Sequence, residues 1–263
     1  MGVVNVTPDS FSDGGRLADS RAAIEHAHKL IGEGADIVDI GGESTRPGAA
    51  PVAVDEELAR VMPVIEAIAS GPVAISVDTY KPEVMVAALA AGAAMINDIY
   101  ALRCPGALDA VAASSAGVCL MHMQGDPATM QDNPVYEDVV AEVGAFLAGR
   151  VAACEAAGIA RDRIVVDPGF GFGKKAVHNL ALLRHLRDLA AGDLPVLAGL
   201  SHKSVLGRIT GRPLGDRVHA SVASALVAVA RGASVVRVHD VGATRDALAI
   251  WLAVEGKGML DEH

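Results

Sequence analysis

Aromatic residues are nearly absent from this sequence: four Phe, three Tyr and one Trp supply only 3% of its 263 residues. A core made without them has to come from Ala, Val, Leu and Ile, a palette that suits helices packed around a barrel. Cysteine is scarce as well. Cys104, Cys119 and Cys154 are odd in number and lack CxxC or Cys–His spacing, which excludes a disulfide framework and a zinc finger. Structural thiols in a reducing compartment are the expectation. No run of about 18 apolar residues occurs, and no basic stretch followed by an apolar one opens the chain. A soluble, cytoplasmic protein without a membrane partner is therefore predicted. Basic charge is also short, with 22 Lys and Arg against 32 Asp and Glu and a net charge of −10. Nucleic acid is excluded as the main partner, because a phosphate backbone needs a basic face. A small anion held by a few local cations remains open.

What the chain does contain is one pattern used repeatedly: a short apolar run that stops at a polar residue. It occurs at Val3-Val4-Asn5, Ile37–Glu43, Ala74–Asp78, Met95–Asp98, Val118–His122, Ile164–Asp167, Val196–Ser201 and Val235–Asp240. Ala-rich segments of helical period separate the runs. About eight strand–helix units close a parallel sheet, so the fold class predicted is α/β, a TIM (β/α)8 barrel in a single domain over residues 1–263. The central stretch is Ile164–Lys175, IVVDPGFGFGKK, where Asp167 ends a strand and Pro168, Gly169, Gly171 and Gly173 open a loop.

The spacing predicts helices over Ala22–Gly34, Asp55–Ala69, Lys81–Ala91, Val135–Gly158, Val177–Ala191, Arg217–Arg231 and Thr244–Val254, with Val135–Gly158 the longest. Small residues of Arg217–Arg231, among them Ala220, Ser221, Ser224 and Ala228, suit close helix contact, either in the core or at a subunit interface. Long polar loops follow the first two strands.

In a parallel α/β protein, ligands sit at the C-terminal ends of the strands. Asn5, Asp78, Asn97, Asp167, Lys203, Arg237 and His239 are predicted to point into that mouth. Asp78, Asn97 and Asp167 suit a flat ring bearing several N–H donors, because a carboxylate accepts two parallel N–H bonds from a guanidine-like edge. Arg237 and His239, two apart on one strand, share a face as cationic donors, and with Asn5 on the neighbouring first strand they make an anion site. The Asn5 carbonyl suits a hard cation. Each residue also has a plainer use: Asp or Asn at a strand end as a helix N-cap, and Arg237 as the partner of a structural carboxylate. The glycines of Asp167–Gly173 do not form a dinucleotide fingerprint, and a GxxxxGK[ST] loop is absent.

The segments NVTPDSFSDGG (Asn5–Gly15), GGESTRPG (Gly41–Gly48), SVDT (Ser76–Thr79), NDI (Asn97–Ile99), MHMQG (Met121–Gly125), DPGFGFGK (Asp167–Lys174) and RVHDV (Arg237–Val241) together resemble the dihydropteroate synthase family, in order and over nearly the whole chain. The resemblance implies a TIM barrel, usually dimeric, that condenses 6-hydroxymethyl-7,8-dihydropterin pyrophosphate with p-aminobenzoate in the presence of Mg2+, and at which sulfonamides compete. It implies that Asp78, Asn97, Asp167 and Lys203 bind the pterin, with Ile99 and Met121 against its ring. Asn5, Arg237 and His239 match the pyrophosphate site, Asn5 as metal ligand, and the catalytic roles fall to Asp167, Lys203, Arg237 and His239. Phe11, Thr45, Arg46, Pro47, Phe172 and Ser204 match the surroundings of p-aminobenzoate, and Asp9 and Asp13 lie in a first loop that closes over the reacting carbon. Two departures stand out. The family reads Ser-Arg-Lys where this chain has Ser201-His202-Lys203, which exchanges a fixed cation for a shorter side chain, and the chain starts directly at its first strand. The first departure motivates an alternative reading, a non-catalytic pterin-binding paralogue.

Overall fold

A computed structural model describes residues 1–7, 16–45 and 48–257, without the side chains of 16–19. Eight parallel strands follow in chain order: β1 (Gly2–Asn5), β2 (Ile37–Gly41), β3 (Ala74–Asp78), β4 (Met95–Asp98), β5 (Gly117–Met121), β6 (Ile164–Asp167), β7 (Leu197–Ala198) and β8 (Val235–Val236). The first six form one sheet in sequence order, and β7 pairs with β8. Bridges between Val166 and Val196 and between Gly2 and Val238 join the two sheets at both edges. The second joint is held by Val3 N–H donating to Val238 O at 3.0 Å and Val238 N–H donating to Met1 O at 2.9 Å. The sheet is therefore closed. β7 and β8 are shorter than the runs Val196–Ser201 and Val235–Asp240; Pro195 has no N–H to give to a ladder, and its carbonyl serves Val166 instead.

Alternation along each strand explains which residues point where. Val4, Val38, Ile40, Ile75, Val77, Ile96, Val118, Leu120, Ile164, Val166 and Val236 face outward into the main core, against the helices. The positions between them point into the barrel. Met1, Ile37, Met95, Cys119, Val165, Leu197 and Val235 close its floor with apolar side chains. One step up each strand, the same face carries Asp39, Ser76, Asn97, Asp167 and Arg237. The polar tier thus rests on a dry floor, which keeps water from reaching its charges from below.

The outer ring is α1 (Arg16–Gly32), α2 (Val54–Ile68), α3 (Pro82–Ala90), α4 (Ala107–Ala112), α5 (Val139–Ala156), α6 (Ala176–Arg184), α7 (Ser204–Thr210), α8 (Val218–Ala230) and α9 (Val241–Val254). α5 begins at Val139 rather than Val135. The Gln124 side chain accepts from Val135 N–H and donates to its carbonyl, holding that segment away from helix, and Asp138 Oδ1 then caps Val140 and Ala141. The helix expected over Val177–Ala191 ends at Arg184, and Leu186–Leu189 continues as a 3-10 turn. In α8, Ser221, Ser224, Ala225 and Ala228 face the core. None of the described helices is long and apolar enough to cross a membrane.

The loop after β6 is fitted to the end of β5 through glycines with positive φ. Gly169 has φ +69°, and a Cβ there would lie 1.9 Å from His122 O. Gly169→Ala is expected to cost on the order of 3 kcal/mol or more, lowering the melting temperature by roughly 10 °C. Gly149, exposed inside α5 with nothing within 4 Å of an added Cβ, is the contrast. Gly149→Ala is expected to raise stability by about 0.5–1 kcal/mol through helix propensity. Melting curves of the two variants check the opposite signs.

Candidate active site

The polar tier opens into a cavity of about 430 Å³ at the C-terminal mouth of the barrel. Twelve of the residues singled out in the sequence line it: Asn5, Thr45, Asp78, Asn97, Ile99, Met121, Asp167, Phe172, Lys203, Ser204, Arg237 and His239. Phe11, Asp9, Asp13, Arg46 and Pro47 lie outside the described residues. Strand register brings the first group together, since Gly41 pairs with Asp78, Asp78 with Asn97, and Met121 with Asp167.

Arg237 reaches across the mouth and divides between two carboxylates. Its Nε donates to Asp39 Oδ2 at 2.6 Å and one terminal nitrogen donates to Asp78 Oδ2 at 2.9 Å. Burial acts against its charge, but Asp39 and Asp78 together raise its pKa, so it is a permanent cation. Burial, with the nearby Asp39 carboxylate, pushes Asp78 up against the pull of Arg237. Asp39 was not among the expected site residues. It sits in mid-strand, fully buried, and its Oδ2 also accepts from Asn97 Nδ2 at 3.1 Å. The signal for it was present: one charged residue, in register with Ser76, inside a run otherwise apolar on both faces.

Asp167 faces the cavity with one oxygen occupied, as Oδ1 accepts from Gly169 N–H at 2.7 Å. Burial pushes its pKa up to about 6, opposed by that hydrogen bond and by Lys203 and Lys174. It is mostly ionised at neutral pH. Lys203 packs against the loop that follows Asp167, its ammonium 4.2 Å from the centroid of the Phe172 ring, a cation–π contact. Burial and Arg237 bring Lys203 down to about 8. The loop carrying Phe172 is fastened by Lys174, which donates to His122 Nδ1 at 2.9 Å and to the carbonyls of Phe172 and His122 at 2.9 and 3.2 Å. Ile99, Met121, Met123 and Met130 form an apolar cluster with Phe172 on the wall.

His239 differs from the cationic donor expected of it. Burial and the adjacent Arg237 bring its pKa down to about 4, so the imidazole is neutral at pH 7. Ser201 Oγ, another residue the sequence did not single out, accepts from His239 N–H at 3.2 Å and lies 2.9 Å from Nδ1. Those two contacts fix the orientation of the neutral ring, which lines the cavity. Position 202 is likewise committed. His202 Nε2 lies 2.8 Å from Asp240 Oδ2 and Nδ1 lies 3.2 Å from Leu214 O. Its backbone, at φ +58°, is held by Ser221 Oγ and by Arg217, which donates to its carbonyl.

Glu43, at the start of the loop after β2, is tied by Tyr80 Oη at 2.9 Å, by Val52 N–H at 3.0 Å and by Lys81. Thr45, two residues on, is thereby brought to the cavity rim. Asn5 turns its amide to the cavity, and its side chain makes no hydrogen bond among the described residues. The mouth thus combines acceptors at Asp78, Asn97 and Asp167 with donors at Arg237 and Lys203 and the neutral ring of His239.

The chain is similar to several known proteins. The family described as pterin binding enzyme matches residues 1–239. Dihydropteroate synthase of Neisseria meningitidis serogroup B is 54% identical over 261 residues, covering 97% of this chain and 92% of the relative. The structure of Xanthomonas albilineans dihydropteroate synthase with 4-aminobenzoic acid superposes with a TM-score of 0.92 at 57% identity, covering 97% of this chain and 92% of that one. Burkholderia cenocepacia dihydropteroate synthase complexed with 7,8-dihydropteroate gives a TM-score of 0.89 at 54% identity, with 97% and 91% covered. On these likenesses, the chain belongs to the pterin binding enzymes and, within them, to the dihydropteroate synthase family.

Proposed function

We infer that this chain condenses 6-hydroxymethyl-7,8-dihydropterin pyrophosphate with p-aminobenzoate, giving 7,8-dihydropteroate and pyrophosphate. The observation that carries the reading is the cavity itself, which brings the acceptors Asp78, Asn97 and Asp167 together with the fixed cation Arg237. The pterin's guanidine-like edge goes to Asp167, with Asn97 and Asp78 beside it and Met121 and Ile99 against the ring. The diphosphate goes to Arg237 and to the neutral imidazole of His239.

Breaking the C–O bond sends negative charge onto the diphosphate and positive charge onto the pterin methylene. Arg237 stabilises the first without reorganisation, because Asp39 and Asp78 already hold it in place. Asp167, anionic and buried, favours the positive charge that delocalises into the ring. The amine of p-aminobenzoate is neutral at pH 7 and attacks the methylene without prior deprotonation; the proton released once the C–N bond has formed goes to the departing pyrophosphate, so no general base is assigned. Phe172, Lys203, Thr45 and Ser204 form the wall on which it is oriented, and Arg46, Pro47 and Phe11 are proposed to complete it, with Asp9 and Asp13 above the reacting carbon. Asn5 offers a hard oxygen, the donor type that Mg2+ takes beside substrate phosphates, and its amide is uncommitted among the described residues. When bound there, Mg2+ would add charge neutralisation at the diphosphate. The reading carries with it a cytoplasmic homodimer; the free thiols of Cys104, Cys119 and Cys154 support the compartment.

Purified protein with Mg2+, the pterin pyrophosphate and labelled p-aminobenzoate is expected to yield labelled dihydropteroate. Pterin binding without condensation would overturn this in favour of the non-catalytic paralogue.

Asp167→Asn is expected to weaken binding of 6-hydroxymethyl-7,8-dihydropterin on the order of 10²-fold, since an amide puts a donor where an ionised acceptor is needed. The melting temperature should hold or rise. With a folded pKa of about 6, raised from 3.8, the group's favourable contribution is present below pH 3.8 and is lost as pH rises through 6. At neutral pH the buried charge is a cost that the amide removes. Titration calorimetry of the parent chain should show affinity falling about tenfold per unit below pH 6, and this limb should be missing in the variant.

A further inference from the structure

Two groups that line the cavity come from opposite sides of the barrel. Arg237 follows β8, and Asn97 belongs to β4, four strands away round the closed sheet. One side chain reaches both. Asp39 Oδ2 takes Arg237 Nε at 2.6 Å and Asn97 Nδ2 at 3.1 Å, from a position that is fully buried and below the cavity lining. Gly41, two residues further along the same face, has no side chain to fill the space above it. Asp39 is also more than a neutralising partner. Arg237 already has Asp78 at 2.9 Å, so the cluster holds two carboxylates for one guanidinium. Among the described residues, Asp39 Oδ1 has no hydrogen-bond partner, and neither does Ser76 Oγ, its cross-strand neighbour. A buried carboxylate in excess, half unsatisfied, is a net cost to folding. Its retention calls for a function that the fold does not supply.

We propose that Asp39 is a positioning residue for the condensation: one buried carboxylate oxygen, shared by Arg237 and Asn97, sets the distance between the cation that receives the diphosphate and the amide that receives the pterin ring. Substrate is then held with its ring and leaving group at a fixed separation, and the C–O bond lies along the line from the ring site to the guanidinium. Asp39 touches neither substrate. It acts through the two groups that do, and a misplacement of about 1 Å between them would cost on the order of 10²-fold in rate.

The inference rests on the function proposed above, so condensation by the unaltered chain is the control, and failure there would count against that reading alone. Asp39→Asn keeps the shape and removes the charge. Its kcat/KM for the pterin pyrophosphate is expected to fall about 10²-fold. Affinity for 6-hydroxymethyl-7,8-dihydropterin, which lacks the diphosphate, should fall about tenfold, while KM for p-aminobenzoate changes by less than about twofold. The melting temperature is expected to hold or rise, because the surplus carboxylate is gone. A purely structural role predicts the reverse, a lower melting temperature with kcat per folded site and both KM values unchanged, and that result would overturn the proposal. So would kinetics within about threefold of the parent. If the asparagine variant does not fold, Asp39→Ser removes the charge without adding a second amide. Failure of both to fold would assign Asp39 to barrel assembly and overturn the inference equally.

Discussion

Everything at the mouth of this barrel depends on a guanidinium that points inward and cannot reach bulk water from below. Arg237 stands above a floor of Met1, Ile37, Met95, Cys119, Val165, Leu197 and Val235. A cation over such a floor needs carboxylates, and strand alternation supplies them, Asp39 from β2 and Asp78 one step higher on β3. Their presence then shapes the rest. Asp39 and Asp78 are taken up by the guanidinium, and Asp167, mostly ionised, is left to suit a ligand bringing N–H donors and a developing positive charge. Burial and the same cation lower His239 and Lys203, so the donors of the cavity differ in kind: one permanent charge, one neutral imidazole and one ammonium close to its titration range. A buried pair seldom adds stability over a well-packed apolar substitute. The cluster belongs to the chemistry of the site, and the outward-facing aliphatic core bears the fold.

The loop after β6 turns that fold into a site wall. Its glycines allow the chain to pass against the His122 and Gln124 backbones, closer than any Cβ would permit. Lys174 then fixes it through three acceptors. Burial brings Lys174 down to about 7 and His122 down to about 3, so the imidazole at this joint is a neutral acceptor. Tyr136 donates to Gly173 O at 2.9 Å and Asn179 accepts from Gly171 N–H at 2.8 Å. Phe172 is thereby presented to Lys203 at a set distance. A segment rich in glycine is rigid here because its backbone groups are consumed by neighbours, a different outcome from the mobility such composition gives in water.

The eight strands and the cavity's lining were legible because a polar residue ending an apolar run is a local feature, and the barrel carries every such end to one mouth. Asn5, Asp78, Asn97, Asp167 and Arg237 were found this way. Asp39 was not, because it interrupts a run instead of ending it; its meaning appears only once β2 and β3 are in register and Ser76 stands beside it. Ser201 was passed over for a similar reason, since its use lies in a contact with His239, 38 residues away. The charge of His239 was misjudged because residue type fixes a reference pKa while burial and Arg237 move it, and neither is visible in a string of letters. Helix ends went astray where side chains bind backbone, as Gln124 does at Val135.

His202 shows how the structure changes the weight of a departure from the family pattern. As sequence, the exchange of an arginine for histidine removes a fixed cation near the p-aminobenzoate wall and invites the reading of a disabled paralogue. In the fold, position 202 does something else. Its ring meets Asp240 at 2.8 Å and stacks edge-on against His239 with centroids 5.1 Å apart. Asp240 is the carboxylate nearest in sequence to His239, and with no partner it would repel an incoming diphosphate. Engaged by His202, it is instead part of the frame that orients His239, whose other flank is held by Ser201. The long reach of an arginine is not needed to meet an acid 2.8 Å away. The Nδ1 contact with Leu214 O adds a tether to the segment leading to Arg217, which returns a guanidinium to the His202 carbonyl and also lines the cavity. A cation therefore remains at this wall, supplied by Arg217. The substitution is compatible with turnover on geometric grounds, and the feature that favoured the paralogue no longer does so.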